Sequence, residues 1–120
     1  MGRFEDLVAW QRAVALSERV YLATSEPAFE RDWALRGQMR RASISVVSNV
    51  AEGYDRGGRK EFARFLQIAL GSCGELRAQV FVAGRVGLLL PPAVEELMRG
   101  CQEVSRLVGR LRTAVRRQSD

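Results

Sequence analysis

Two pairs of polar residues have the types and the spacing that acid–base or cation chemistry would use. Asn49 and Glu52 lie three residues apart, and Ser72 and Glu75 repeat that spacing. Two facing carboxylates could share a proton or bind a hard cation. The chain has no histidine, however, so the commonest general base and the imidazole metal ligand are both missing. We therefore predict no catalytic residue, no metal site and no cofactor.

A structural polar layer inside a helical protein explains the same residues better than catalysis does. Buried amides and carboxylates are stable only when they are hydrogen-bonded. Such groups fix the register of packed helices at some loss of stability, as a core asparagine does in coiled coils. The predicted layer has five members: Ser45, Asn49, Glu52, Ser72 and Glu75.

Four stretches of the chain have apolar residues three and four positions apart, which is typical of amphipathic helices. These helices must position the five polar residues. The spacing predicts helices at about residues 4–24, 30–53, 59–87 and 92–117, separated by Pro27, a glycine-rich turn at 56-RGGR-59 and two prolines. We expect Gly53 to end the second helix in the left-handed conformation and Gly58 to cap the third. Short connections between long amphipathic helices predict an all-α, up-down-up-down antiparallel four-helix bundle, with residues 1–120 as one domain.

Each predicted helix has an apolar seam that should face the core. The seams of the first two helices contain Leu7, Trp10, Val14 and Tyr21, and then Leu35, Met39, Ala42, Val46, Asn49 and Gly53. Those of the last two contain Phe62, Leu66, Ala69, Cys73, Leu76, Val80, Ala83 and Gly87, and then Val94, Leu97, Cys101, Val104, Val108, Leu111 and Val115. Both cysteines lie in these seams, and two cysteines are too few for a disulfide-stabilised scaffold. We therefore predict that both are buried thiols in the core.

Two further apolar faces lie outside these seams. The second helix carries Ile44, Val47 and Ala51 on its far side, and the third carries the small residues Gly71, Gly74 and Ala78. A helix that is apolar nearly all round must be covered on two sides. We therefore predict that these six residues form an oligomer interface.

The charge is basic, with 19 lysines and arginines against 14 acids, and every basic residue except Lys60 is arginine. Arginine forks match phosphate and carboxylate geometry, so RNA or DNA is a candidate partner, although a row of exposed arginines also fits a plain solvated helix face. Aromatic residues outside the seams are scarce, which favours phosphate contact over base stacking. The candidate nucleic-acid-binding residues are Arg36, Arg40, Arg41, Arg99, Arg106, Arg110 and Arg117.

The cellular location follows from what the chain does not contain. Its first residues, MGRFEDLVAW, carry acids where a signal peptide needs an apolar core, and no apolar run reaches 18 residues. We expect a cytoplasmic protein with no membrane partner.

Three stretches carry a family resemblance: 4-FEDLVAWQRAVALSERVY-21, 38-QMRRASISVVSNVAEG-53 and 60-KEFARFLQIALGSCGEL-76. They contain an Asn-x-x-Glu-Gly motif ending at Gly53 and a Gly-Ser-x-x-Glu motif ending at Glu75. The sequence resembles the small four-helix-bundle proteins encoded in intervening sequences of bacterial 23S ribosomal RNA genes. It is also similar to the accessory proteins of diversity-generating retroelements.

The resemblance implies a homo-oligomer, with a pentamer favoured, and no established enzyme activity. It also implies RNA or DNA as a partner, and a reverse transcriptase as a further one, because the retroelement proteins bind both. The leading hypothesis is a non-enzymatic oligomer that binds RNA or DNA. The alternatives are a protein-binding adaptor such as a reverse-transcriptase accessory subunit, and an enzyme or metal protein built on Glu52 and Glu75.

Overall fold

The computed structural model describes residues 2–118 and confirms the predicted fold class. Four α-helices follow one another: α1 (Val8–Thr24), α2 (Trp33–Asp55), α3 (Arg59–Arg85) and α4 (Pro91–Arg117). Two 3₁₀ turns, Phe4–Asp6 and Pro27–Arg31, precede α1 and α2. Each helix packs against its neighbours in the chain, and α1 also packs against α4, so α1 and α3 lie on a diagonal. The bundle measures about 50 × 20 × 18 Å.

Local chemistry sets the helix ends. The side chain of Asp32 accepts a hydrogen bond from the Leu35 amide at 2.9 Å, so α2 starts after the 3₁₀ turn and not at residue 30. Gly58 is the N-cap of α3, as predicted, and offers no side-chain hydrogen bond. Pro91 opens α4, where its missing amide hydrogen has no partner to lose.

The prediction that Gly53 ends α2 is wrong. The helix continues to Asp55, and the left-handed residue is Gly57, with φ of +85°. Gly53 is buried where α2 crosses α3, and a Cβ added there would lie 2.6 Å from Cβ of Phe65. This glycine therefore allows two helix backbones to approach closely, a requirement that local sequence signals do not distinguish from a cap.

The predicted seams of α3 and α4 are confirmed along most of their length. Phe62, Val94 and Leu111 are half-buried against the core, and Gly87 lies beyond α3 and is exposed. The core includes Leu66, Ala69, Cys73, Leu76 and Val80 from α3, and Leu97, Cys101, Val104, Val108 and Val115 from α4. Both cysteines are buried and unpaired by disulfide, as expected of core thiols. In each of these two helices one apolar stripe runs nearly the whole length, and the second apolar face of α3 is interrupted by Gly71 and Gly74, so the longer stripe indicated the buried face.

The predicted core face of α1 is correct only near its start, where Leu7 and Trp10 are partly buried against the core. The helix buries Ala9, Ala13, Leu16 and Val20, whereas Val14 is half-buried and Tyr21 is exposed. Both sets have helical spacing, so periodicity alone could not choose between them. Small residues at two positions let the neighbouring helices come close, and this leaves the larger apolar side chains at the surface.

The seam of α2 drifts as it runs along the helix. Met39, Ala42 and Val46 are buried as predicted, but the next buried residue is Val50, and Asn49 is only half-buried. A strict seven-residue repeat departs from the 3.6-residue turn by about 20° per heptad. Over two heptads this rotation about the helix axis moves Asn49 out of the core and onto the side of α2 that faces α3.

Candidate functional site

Three of the five predicted polar-layer residues meet between α2 and α3. The hydroxyl oxygens of Ser45 and Ser72 lie 2.7 Å apart. Asn49 donates through Nδ2 to the carbonyl oxygen of Ser45 at 2.8 Å and to its hydroxyl at 3.0 Å. All three side chains are half-buried. They form a small hydrogen-bonded cluster that links the two helices at mid-height.

The two glutamates do not join that cluster. Glu52 accepts a hydrogen bond from Arg56 at 2.9 Å, and its side chain is 51% exposed. Glu75 is also exposed and accepts from Gln79 at 3.5 Å. Within residues 2–118, no group of three or more cysteine, aspartate or glutamate side chains is placed to hold a metal ion. In the single chain, Glu52 and Glu75 are surface acids that flank the cluster.

A stability comparison tests whether the cluster is structural. We expect Ser45→Ala to lower the free energy of unfolding by about 1–2 kcal/mol, because both Asn49 and Ser72 lose a partner. Glu52→Gln should change it by less than about 0.5 kcal/mol, since exposed ion pairs contribute little. Urea unfolding followed by circular dichroism measures both. Equal effects of the two changes would contradict this division between cluster and surface.

A pair of thiols joins α3 to α4 in the core. The Cys73 thiol donates to the carbonyl oxygen of Cys101 at 3.3 Å and accepts from the Ser105 hydroxyl at 3.1 Å. A hydrogen bond from the thiol of Cys101, and then one from the hydroxyl of Ser105, lowers the pKa of Cys73 to about 7 although burial opposes this. The same contact and burial raise the pKa of Cys101. Both side chains are buried, so the pair is not placed to act as an exposed nucleophile.

The predicted nucleic-acid-binding arginines of α2 differ in their surroundings. Arg40 donates to Thr24 Oγ1 at 2.9 Å, Ser25 Oγ at 3.1 Å and the Tyr21 carbonyl at 3.3 Å, and stacks on the Tyr21 ring. Its guanidinium therefore secures the C-terminal end of α1. Arg36 stacks over the ring of Trp33, and Arg41 lines a shallow surface cavity beside Glu75.

The predicted row on α4 is exposed along its whole length. It consists of Arg99, Arg106, Arg110 and Arg117. Arg12 and Arg19 of α1 lie beside the first half of this row. Sequence reasoning missed these two residues, although their seven-residue spacing matches that of Arg99 and Arg106.

These side chains line a groove of about 560 Å³ between α1 and α4, which we call the α1/α4 groove. Its walls are Arg12, Arg19, Arg99 and Arg106, with Gln102, Glu96 and Glu103 between them and Gly100 at the base. A Cβ on Gly100 would lie 2.8 Å from Leu16 Cδ1, so the glycine lets α1 sit close to α4. Arg12 lies 3.9 Å from Glu103 in a largely exposed pair, and Arg99 pairs with Glu95 at 3.3 Å.

Two aromatic residues outside the predicted seams are exposed. Trp33 is 64% exposed and Phe81 is 54% exposed. The Arg36 guanidinium lies 4.4 Å from the centre of the Trp33 ring. A flat, exposed ring with a stacked cation at its side is a surface on which an unpaired base can stack.

The predicted oligomer-interface residues lie on surfaces that the described part of the chain does not cover. Ile44 and Val47 line an apolar groove of about 510 Å³ between α1 and α2, the α1/α2 groove, together with Val14, Tyr21 and Leu22. Ala51 is half-buried one turn below. On α3, Gly71 and Gly74 have no atom within 4 Å of an added Cβ, and Ala78 is exposed.

The family model for 23S rRNA-intervening sequence proteins matches residues 5–110. The chain belongs to this family. The match spans α1 to most of α4, so the residues that form the polar cluster and line the α1/α4 groove all lie within the region shared with the 23S rRNA-intervening sequence proteins.

A solved structure has the same fold as this member of the 23S rRNA-intervening sequence family. It is a protein with unknown function from the S23 ribosomal protein family of Bacteroides thetaiotaomicron VPI-5482. The TM-score is 0.82 at 18% identity, over 88% of this chain and 96% of that one. None of the curated proteins matches the chain. Within residues 2–118, no helix is long and apolar enough to cross a membrane.

Proposed function

We propose that this protein is a non-enzymatic, homo-oligomeric member of its family that binds RNA or DNA in the cytoplasm by the phosphate backbone. The observation that carries the proposal is the α1/α4 groove, where four guanidinium groups from two helices converge. Guanidinium forks bind phosphate oxygens in pairs. A groove with this lining attracts a polyanion without requiring a particular base sequence.

The charges of the groove are available to a ligand. Among the described residues, no carboxylate lies within 4 Å of the guanidinium of Arg19 or Arg106. Arg12 and Arg99 have only exposed acid partners, and such pairs exchange readily for phosphate because each is worth little in water. Glu96 and Glu103 reduce the net charge of the groove to about two positive units, which favours weak, salt-sensitive binding.

Filter binding with single-stranded and duplex forms of RNA and DNA, over a salt series, tests the nucleic-acid part. We expect Arg19→Ala with Arg106→Ala to weaken binding about tenfold or more at low salt. Losing two phosphate contacts should reduce the log–log salt slope by about 1.4 for single strands. The control, Arg31→Ala with Arg77→Ala, removes the same charge from other exposed positions and should change affinity less than about threefold. Absence of binding by the wild-type protein at low salt would remove the proposal.

Self-association rests on the two uncovered apolar surfaces on α2 and α3. Light scattering of the purified protein should give a multiple of the chain mass, with five copies favoured by the family resemblance. A monomer would contradict self-association. It would favour the adaptor function, in which the α1/α2 groove binds a foreign chain such as a reverse transcriptase.

A further inference from the structure

A cavity lies at the end of the bundle where α1 ends and α4 begins, and we call it the end pocket. Its walls come from the last two turns of α1, from Pro27 and Ala28 in the connection to α2, and from residues 87–90 and the first two turns of α4. Its volume is about 740 Å³, which lies within the range of about 300–1,000 Å³ usual for small-molecule sites. The end pocket is therefore large enough to hold a small organic ligand or one unit of a polymer.

The end pocket borders the α1/α4 groove. Arg19 and Glu96 line both cavities, so the groove and the pocket meet at these two side chains. Arg12 lies seven residues before Arg19 on α1, towards the other end of the groove. Past Arg19 and Glu96, the two connections between helices stand in the path of the groove. A phosphate backbone that runs along the groove in this direction therefore arrives at the pocket.

The lining changes from polar to apolar between the groove and the pocket. Of the twelve described residues that line the end pocket, eight are apolar, and four of these are leucines. Leu88 and Leu89 are buried, whereas Leu22 and Leu90 are 72% and 74% exposed. Apolar side chains hold an unstacked base by packing against its faces. They do not stabilise a phosphate, which would lose its hydration there without gaining a hydrogen-bond donor.

The charges of the end pocket differ between its two ends. Arg19 lies at the mouth shared with the groove, and Glu26 follows the end of α1, seven residues further along the chain. In the described part of the chain, no cation lies within 4 Å of the carboxylate of Glu26 or Glu96. A carboxylate accepts hydrogen bonds from the N–H groups of a base and repels a phosphate. The backbone of a bound strand therefore stops at Arg19, while a base can continue towards Glu26.

We propose that the end pocket binds the terminal nucleotide of a single strand that lies in the α1/α4 groove. Arg19 binds the phosphate of that nucleotide, the leucines pack against its base, and Glu26 accepts a hydrogen bond from an N–H group of the base. This inference rests on the proposed binding of RNA or DNA and names the part of the nucleic acid that is recognised. A free mononucleotide offers the same phosphate and the same base, so the test includes both sources.

Competition binding with a short single-stranded RNA in linear and circular form tests the end pocket. The two forms have the same sequence, but only the linear form, made with hydroxyl groups at both ends, has a terminal nucleotide. The linear form also has one phosphate fewer than the circle, so charge alone would favour the circle. Each form competes with a labelled circle for the wild-type protein. We expect the linear form to bind at least about fivefold more tightly, the lower end of what one base held by protein side chains contributes.

Two variants of the end pocket and one control locate the effect. Leu90→Ala removes part of the apolar wall, and Glu26→Ala removes the acceptor. Leu90 is mostly exposed and the Glu26 side chain makes no capping hydrogen bond, so the bundle is retained. Glu30→Ala, at an exposed position in the 3₁₀ turn that follows Glu26, removes the same charge outside the pocket. Thermal melting followed by circular dichroism checks that all three variants are folded.

The expected result separates the end pocket from a change in net charge. The advantage of the linear form over the circle should fall below about twofold in both pocket variants and persist in the control. If the two glutamates acted only through their charge, both acid variants would bind the two forms more tightly and leave the advantage unchanged. The four nucleoside monophosphates are then added as competitors. Loss of the advantage shows that the pocket also accepts free nucleotides, and an unchanged advantage shows that it requires the strand.

The failure of the end pocket is distinguishable from the failure of nucleic-acid binding. Equal affinity of the two forms for the wild type, or an advantage that persists in both pocket variants, would overturn the proposed end recognition while leaving the binding of RNA in the groove in place. Absence of binding by both forms would overturn both.

Discussion

Replacement of Phe29 by alanine will lower the free energy of unfolding by about 3–5 kcal/mol, the usual effect of truncating a buried aromatic side chain. Phe29 is among the largest fully buried side chains, although it lies in the 3₁₀ turn that connects α1 to α2 and not in a helix. Its ring belongs to the hydrophobic core cluster. Removing it opens a cavity that rigid helices cannot close.

Urea unfolding at a fixed protein concentration measures the Phe29 effect, since self-association adds to apparent stability. Trp33→Ala is the matched control, because Trp33 lies four residues away and is mostly exposed. Trp33→Ala should lower the free energy of unfolding by no more than about 1 kcal/mol, which is the usual contribution of an exposed cation–π contact such as the one with Arg36. A loss below 1 kcal/mol at Phe29 would show that the connection between α1 and α2 does not hold the bundle end together.

The second large effect is expected at Gly53. A methyl group there would meet Cβ of Phe65 at 2.6 Å and Cδ1 of Phe62 at 3.1 Å. The first of these atoms is fixed to the α3 backbone, so the helices must separate, and Gly53→Ala should destabilise the protein by about 1–3 kcal/mol. The intrinsic preference of helices for alanine works in the opposite direction by about 1 kcal/mol and should not prevail.

Gly109 supplies the matched control for Gly53. It also lies inside a helix, but a Cβ added there meets no atom within 4 Å. Gly109→Ala should therefore raise stability by up to about 1 kcal/mol. The two glycine variants, unfolded side by side in urea, should move in opposite directions. Stabilisation by both would mean that α2 and α3 are not in close contact at Gly53.

The sequence was most informative where one apolar stripe of a helix is clearly longer than any other. Leu76 of α3 and Val104 of α4 are buried as the pattern predicted, because each belongs to the longest stripe of its helix. The first helix carried two stripes of equal spacing. Burial of Ala13 in place of Val14 depends on how closely α2 and α4 approach, which is a tertiary property. The burial of Phe29 was not predicted for a similar reason, because a short connecting segment has no apolar periodicity that indicates which residues are buried.

The candidate sites show the same limit. Ser45 and Ser72 were expected in one layer and do meet. Glu52 was expected in the same layer, but its side chain lies on the outer side of α2 and forms an ion pair with the nearby Arg56. Arg19 could not be assigned to a groove before the pairing of α1 with α4 was known. The arrangement of surface residues depends on how each helix is rotated about its axis. Apolar periodicity determines that rotation only where one apolar stripe of the helix is clearly the longest.

The α1/α4 groove has a direction as well as a charge. Arg12 and Arg19 follow each other along one helix, as do Arg99 and Arg106 along the other. Seven residues of helix correspond to about 10 Å of axial rise. A phosphate backbone bound in this groove, as proposed, must run lengthwise along the subunit and contact both walls over this short distance.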